Sequence, residues 1–180
     1  MRRVIRSVLD PGVFVSAALT PGGTPDRLLT AWGQRRLEVV SSPKVLGELA
    51  QVLRRDKFRS AFSGEVAERY LDLLRRFTTS VADPPLIEGL TSDRNDDYLP
   101  SLGRAVGADI VVSGNTKHMR PDPSAHPPIA TPAQLLNLLA DVAPAAPSAR
   151  TRRRSAALAA WRVRRQRDVH RRGPGQERTV

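Results

Sequence analysis

The chain has 180 residues, enough for one compact domain with a surplus, and 40% of them are hydrophobic, enough for a core. It has no cysteine, which excludes disulfides, thiolate metal sites and cysteine nucleophiles. Of the formal net charge of +11, the stretch from Pro144 to Val180 carries 11 arginines against 2 acidic residues, so the region before it is nearly balanced. Any argument from charge to nucleic-acid binding is therefore an argument about that stretch.

No apolar run approaches the roughly 20 residues of a membrane span. The start, Met1-Arg2-Arg3-Val4, lacks a signal-peptide apolar region, and the cytoplasm is the expected compartment.

Val4 to Leu9 is an apolar run that ends abruptly in Asp10, followed by Pro11-Gly12 and a second apolar run, Val13-Phe14-Val15. Near-continuous hydrophobicity is the pattern of a buried parallel strand. In open α/β sheets the ligand crevice lies outside the carboxyl ends of the strands, which is where Asp10 falls. Asp-Pro-Gly is also ordinary turn chemistry, so this stretch alone leaves both readings open.

Thr20 to Pro25 reads as a loop, and Thr24 with Pro25 opens a helix whose buried stripe is Leu28, Leu29 and Trp32. Leu37 to Val40 is a short strand. Ser42 caps the next helix, Pro43 to Leu53, with Glu48 at the edge of its buried face. Asp56 to Phe62 is a short helical connection. Gly64 to Phe77 is a longer amphipathic helix with Val66, Tyr70, Leu73, Leu74 and Phe77 inward and Arg69, Arg75 and Arg76 outward.

Val81 to Leu90 is proline-interrupted and partly extended. The polar island Thr91-Ser92-Asp93-Arg94-Asn95-Asp96-Asp97-Tyr98 follows and leads into a helix marked by Leu99, Leu102, Ala105 and Val106. Either Asp96 or Asp97 stands in its opening turn, where a helix stabilises negative charge. Capping needs one carboxylate. Three within five residues exceed that need and repel one another unless a cation sits among them.

Asp109 to Val112 is a second buried strand, begun by Asp109, which has a structural role there, and the polar cluster Ser113 to His118 follows its carboxyl end. Pro121 to Pro128 is a loop, Ile129 a last short strand, and Thr131-Pro132 caps a helix through Leu139. The alternation predicts an α/β domain with a parallel sheet covered on both sides. Asp10, Glu48 and Asp97 then fall where one crevice can collect them. Oxygen-only ligation of this kind suits Mg²⁺ or Mn²⁺.

In order and spacing these segments resemble a PIN-domain ribonuclease of the group of toxin components in toxin–antitoxin pairs. The resemblance rests on Val8-Leu9-Asp10-Pro11-Gly12-Val13-Phe14-Val15-Ser16-Ala17, on Ser42-Pro43-Lys44-Val45-Leu46-Gly47-Glu48-Leu49 and on Arg54-Arg55-Asp56-Lys57-Phe58. It continues through Asp93-Arg94-Asn95-Asp96-Asp97-Tyr98-Leu99, Gly107 to Asn115 and Thr131 to Leu136.

The resemblance implies a three-layer α/β/α sandwich with a central, mostly parallel sheet, over residues 1–143. Residues 144–180 lie beyond the resemblance and read by composition as a basic, disordered extension, in which Ser155 to Arg172 can form a helix when bound, with Leu158 and Trp161 on one side; it either binds RNA electrostatically or has no role. The resemblance further implies hydrolysis of RNA, metal ligation by Asp10, Glu48 and Asp97 with Asp96 as runner-up, and Ser113 supporting the site. A small antitoxin protein is the expected partner, and a homodimer is an expected assembly. Asn115 stands at a further ligand position that is acidic in many members, and Pro11-Gly12 replaces the usual Thr-Asn. Lys117 and His118 are candidates for phosphate contact. Against this stands a domain that binds RNA or a protein without cutting, and a third reading is a nuclease acting on DNA.

Overall fold

A computed structural model of the chain describes residues 4–59, 61–140 and 148–172. Five strands form one sheet in the order β3-β2-β1-β4-β5, with β1 at Ile5–Leu9, β2 at Leu37–Ser41, β3 at Thr79–Ser80, β4 at Ile110–Val112 and β5 at Ile129–Ala130. Every pairing in the sheet is parallel. Val8, Leu9, Val111 and Val112 are fully buried, as the unbroken apolar runs require of central parallel strands. The sheet is flanked by seven α-helices among the described residues: α1 Pro11–Leu19, α2 Thr24–Gly33, α3 Pro43–Leu53, α4 Gly64–Phe77, α5 Tyr98–Ala105, α6 Pro132–Ala140 and α7 Ala149–Arg172.

The first apolar run does not continue as strand past Asp10. Pro11–Leu19 is a helix, capped by Asp10 with proline in its first turn. A short apolar run cannot be assigned to strand or helix by periodicity alone, and this helix is buried nearly all round. The β-branched Val13 and Val15 cost it propensity, and burial overrides that cost. Proline in the first turn costs nothing, since an N–H there has no helical partner anyway.

Other element ends shift by small amounts. Gly23 rather than Thr24 is the cap of α2, and the connection after α3 is a single 3₁₀ turn, Asp56–Phe58. At α6, Thr131 Oγ1 accepts from the Gln134 amide at 3.2 Å while Gln134 Oε1 accepts from the Thr131 amide at 2.8 Å, a reciprocal cap.

The larger correction concerns the basic extension. Residues 149–172 form one 24-residue helix packed on α4 and α2, not a disordered tail. Trp161 is buried, stacks on Tyr70 with ring centroids 4.3 Å apart, and donates its indole N–H to the Val66 carbonyl at 3.1 Å. Arg162 pairs with the buried Asp26, and Arg165 donates to the Leu19 carbonyl at 2.9 Å. The Asp168 carboxylate caps the backbone at Ser63, 2.7 Å away. Composition misleads here because the arginines sit around a narrow apolar seam of Leu158 and Trp161, and that seam finds a ready-made aromatic partner. Residues 141–147 and 173–180 lie outside the described residues.

Candidate active site

Asp10 is the residue that follows the central strand. Leu9 pairs with Val112 across the sheet, so the next residue on each strand, Asp10 and Ser113, meets at the carboxyl edge. The Asp10 amide donates to the Val112 carbonyl at 2.9 Å, and the Ser113 hydroxyl donates to Asp10 Oδ2. The other carboxylate oxygen accepts from the Gly12 amide at 2.6 Å. Proline at 11 has no N–H to give, and Gly12 supplies the backbone donor instead. A Cβ at position 12 would stand 3.2 Å from Asp10 Oδ1, so this approach favours glycine. These two donors fix the orientation of the carboxylate at the start of α1.

Glu48 reaches the crevice from α3, half-buried at the edge of the helix face. Its Oε2 accepts the Tyr98 hydroxyl at 2.5 Å. Burial raises the Tyr98 phenol far above its ordinary range, and the hydrogen bond to Glu48 and the charges on Glu48, Asp10 and Asp96 raise it further. The phenol therefore remains a donor. Lys44, one turn before Glu48, holds its ammonium 4.5 Å from the Tyr98 ring centroid. Neither Tyr98 nor Lys44 was marked by the sequence. A phenol next to an acidic doublet and a lysine four residues before a glutamate were the available signals.

The doublet splits. Asp97, expected to face the crevice, is 0% exposed and turned into the loop before it. Its Oδ2 accepts from the Gly89 amide at 2.7 Å, and its Oδ1 accepts from the Thr91 amide at 2.7 Å and the Thr91 hydroxyl at 2.9 Å. Asp96, the runner-up, takes the crevice position. Its carboxyl is pushed above its ordinary value, first by burial and then by the charges on Asp10, Asp93 and Glu48, with His118 pulling the other way. Adjacent residues in a helical turn point about 100° apart, so only one of two consecutive aspartates can face one crevice.

Ser113 is buried, and besides donating to Asp10 it accepts the Asn115 amide at 3.0 Å. Asn115 and Lys117 are exposed, and His118 is half-buried beside Asp96. The His118 carbonyl accepts both the amide and the hydroxyl of Ser92, which ties the loop after β4 to the polar island. Asp109 lies at the other end of β4, where its carboxylate accepts the Arg6 amide at 2.8 Å.

As the side chains stand, no three histidine or acidic groups among the described residues are close enough together to hold an ion. Asp10 leans on Ser113 and Gly12, and Glu48 on Tyr98. Yet Asp10, Glu48 and Asp96 share one field, and none of them has an ion-pair partner among the described residues. Crowded, uncompensated carboxylates with oxygen donors only are the chemistry of a hard divalent cation site. In donor chemistry, carboxylate oxygens without sulfur or a histidine cluster, the residues present fit such an ion.

No helix among the described residues is long and apolar enough to cross a membrane. Neither the curated proteins nor the solved structures contain a match to this chain. A family model described as PIN domain matches residues 6–117, a span that holds Asp10, Glu48, Asp96, Asp97, Ser113 and Asn115 and leaves α7 outside. PIN domains are generally nucleases, commonly with divalent metals. With the model covering more than half of the sequence and the all-parallel sheet agreeing with it, the chain belongs to the PIN-domain family.

Proposed function

We propose that this PIN domain is a divalent-metal-dependent endoribonuclease, with Asp10, Glu48 and Asp96 holding Mg²⁺ or Mn²⁺ and Asn115 offering a neutral oxygen at the rim. The observation that carries this reading is the gathering of carboxylates at the carboxyl end of β1, where the charges on Asp10 and Glu48 add to burial in raising the Asp96 carboxyl. A cation among these carboxylates would relieve their mutual repulsion. The bound ion would polarise a phosphate and ease ionisation of a water.

The chain's own side chains do the positioning. Ser113 and Gly12 fix the two oxygens of Asp10, and the Tyr98 hydroxyl orients Glu48. Asp97 anchors the loop that presents Asp96. Lys44 and Lys117 offer positive charge to the substrate's phosphates, and His118 offers a ring N–H. Water adds to phosphorus in line, the bond to the 3′ oxygen breaks, and that oxygen leaves as a hydroxyl with a proton from the water. The products are a 5′-phosphate and a 3′-hydroxyl.

The toxin–antitoxin role belongs to the same proposal and rests on the resemblance in sequence, with a small antitoxin protein covering the crevice. The test is cleavage of single-stranded and structured RNA, with a DNA panel beside it, in Mg²⁺ or Mn²⁺ with and without chelator. Metal-dependent RNA cleavage that vanishes in Asp10→Asn supports the reading. Chelator-insensitive cleavage, or undiminished activity in that variant, ends it. The neutral Asn115 favours a second reading, binding without turnover, which predicts salt-dependent RNA binding and no product with either ion.

A further inference from the structure

A cavity of about 320 Å³ opens at the other end of the sheet from Asp10, where Ile5 pairs with Leu37 at the start of β1 and β2. Its polar lining includes Arg35, Arg150, Arg154, Ser148, Thr151 and Glu38. Arg154 is the unusual member. It is only 8% exposed, its guanidinium lies 4.9 Å from the Trp32 ring centroid, and two of its nitrogens, Nε and Nη2, are buried with no hydrogen-bond partner among the described residues.

A buried guanidinium with unmet donors is costly, and a bound water, ion or ligand that accepts from them removes that cost. Burial and the neighbouring charges of Arg35 and Arg150 push its pKa down to about 10, which leaves it a cation at neutral pH. Glu38, the carboxylate in the lining, is already taken by Arg6 at 3.1 Å and by the Thr79 hydroxyl at 2.9 Å. Helix α7 also begins here. Ser148 caps it by accepting the Thr151 amide at 3.2 Å, and the Arg35 guanidinium donates to the same hydroxyl at 3.3 Å. The amino end of a helix adds free N–H groups and a favourable field for an anion.

We propose that this cavity is an oxyanion site that takes a phosphate group, held by Arg154 with Arg35, Arg150 and the amino end of α7. The planar fork of Arg154 suits two phosphate oxygens, and the cavity has room for a phosphate and part of what carries it. Occupancy would couple to the docking of α7, because α7 supplies most of the site. The phosphate has two possible sources, a small phosphorylated molecule or the backbone of an RNA. The site lies at the opposite edge from the carboxylates and does not depend on their chemistry.

The test is calorimetric titration and thermal melting of the full chain carrying Asp10→Asn, so that cleavage plays no part. Inorganic phosphate is the probe, against chloride at equal ionic strength. Phosphate should bind saturably and raise the melting temperature where chloride does not. Arg154→Met, which keeps the stem on Trp32, should weaken binding about tenfold or more. The double variant Arg35→Gln/Arg150→Gln, at exposed side chains, should weaken it as well and serves if Arg154→Met does not fold. Competition by a 5′-mononucleotide and by a short RNA then distinguishes the two sources. An equal response to chloride, or phosphate binding unchanged in the variants, overturns the proposal.

Discussion

The Tyr98 hydroxyl donates to Glu48 at 2.5 Å, joining the first residue of α5 to the middle of α3 across the crevice. This bond aims a half-buried carboxylate at Asp10 and Asp96 and keeps it from turning to solvent. Tyr98→Phe should therefore cost only about 1–2 kcal/mol of stability, the worth of one hydrogen bond to a charged group. Cleavage should fall about tenfold or more, and metal affinity with it. RNA cleavage kinetics alongside melting curves check this, and unchanged kinetics would assign the bond to stability alone.

The two aspartates of the doublet should separate cleanly. Asp97→Ala leaves the amides of Gly89 and Thr91 without an acceptor and should destabilise the fold by about 2–4 kcal/mol. Asp96→Asn should abolish cleavage with the fold intact. Denaturant unfolding and activity measured on both variants decide it. Full activity in Asp96→Asn would return the third ligand position to Asp97.

The pH dependence follows from the sign of the Asp96 shift. Its carboxyl is raised on folding, so the folded chain binds this proton more tightly than the unfolded one. The stability it contributes is fully present below its ordinary value of 3.8 and is lost as pH rises through the raised folded value. Asp96→Asn should therefore melt higher than the parent at neutral pH and no higher below about pH 4. Mg²⁺ should raise the parent's melting temperature at neutral pH and lose that effect in Asp96→Asn and Asp10→Asn. A variant that melts lower than the parent at neutral pH would show that Asp96 is not repelled.

Helix α7 should behave as part of the core. Trp161→Ala removes a buried ring stacked on Tyr70 and an indole hydrogen bond, a loss of about 3–5 kcal/mol. Chemical unfolding monitored by far-UV circular dichroism should show one transition shifted to lower denaturant. A variant that loses only a separate, early helical step would mean α7 docks independently.

The strands at the centre of the sheet were legible because they are short, apolar and closed by polar residues. Val8-Leu9 before Asp10 and Ile110 to Val112 before Ser113 needed no tertiary information. So was Glu48, whose place at the edge of an amphipathic face follows from helical periodicity. Helix α1 was not legible, since Val13-Phe14-Val15 suits a buried strand and a buried helix equally.

What the sequence by itself determined was which segments are buried and that β1 closes in a carboxylate, Asp10. Burial and periodicity are properties of local pattern, and a strand that ends in a carboxylate carries its own address. Only the tertiary structure decided which of Asp96 and Asp97 faces the crevice, because the choice hangs on amides at Gly89 and Thr91 that no pattern announces. It likewise decided that the arginine-rich stretch 149–172 is a docked helix. A single tryptophan outweighs the surrounding charge once Tyr70 is there to receive it, and a contact between residues so far apart in sequence leaves no periodic trace.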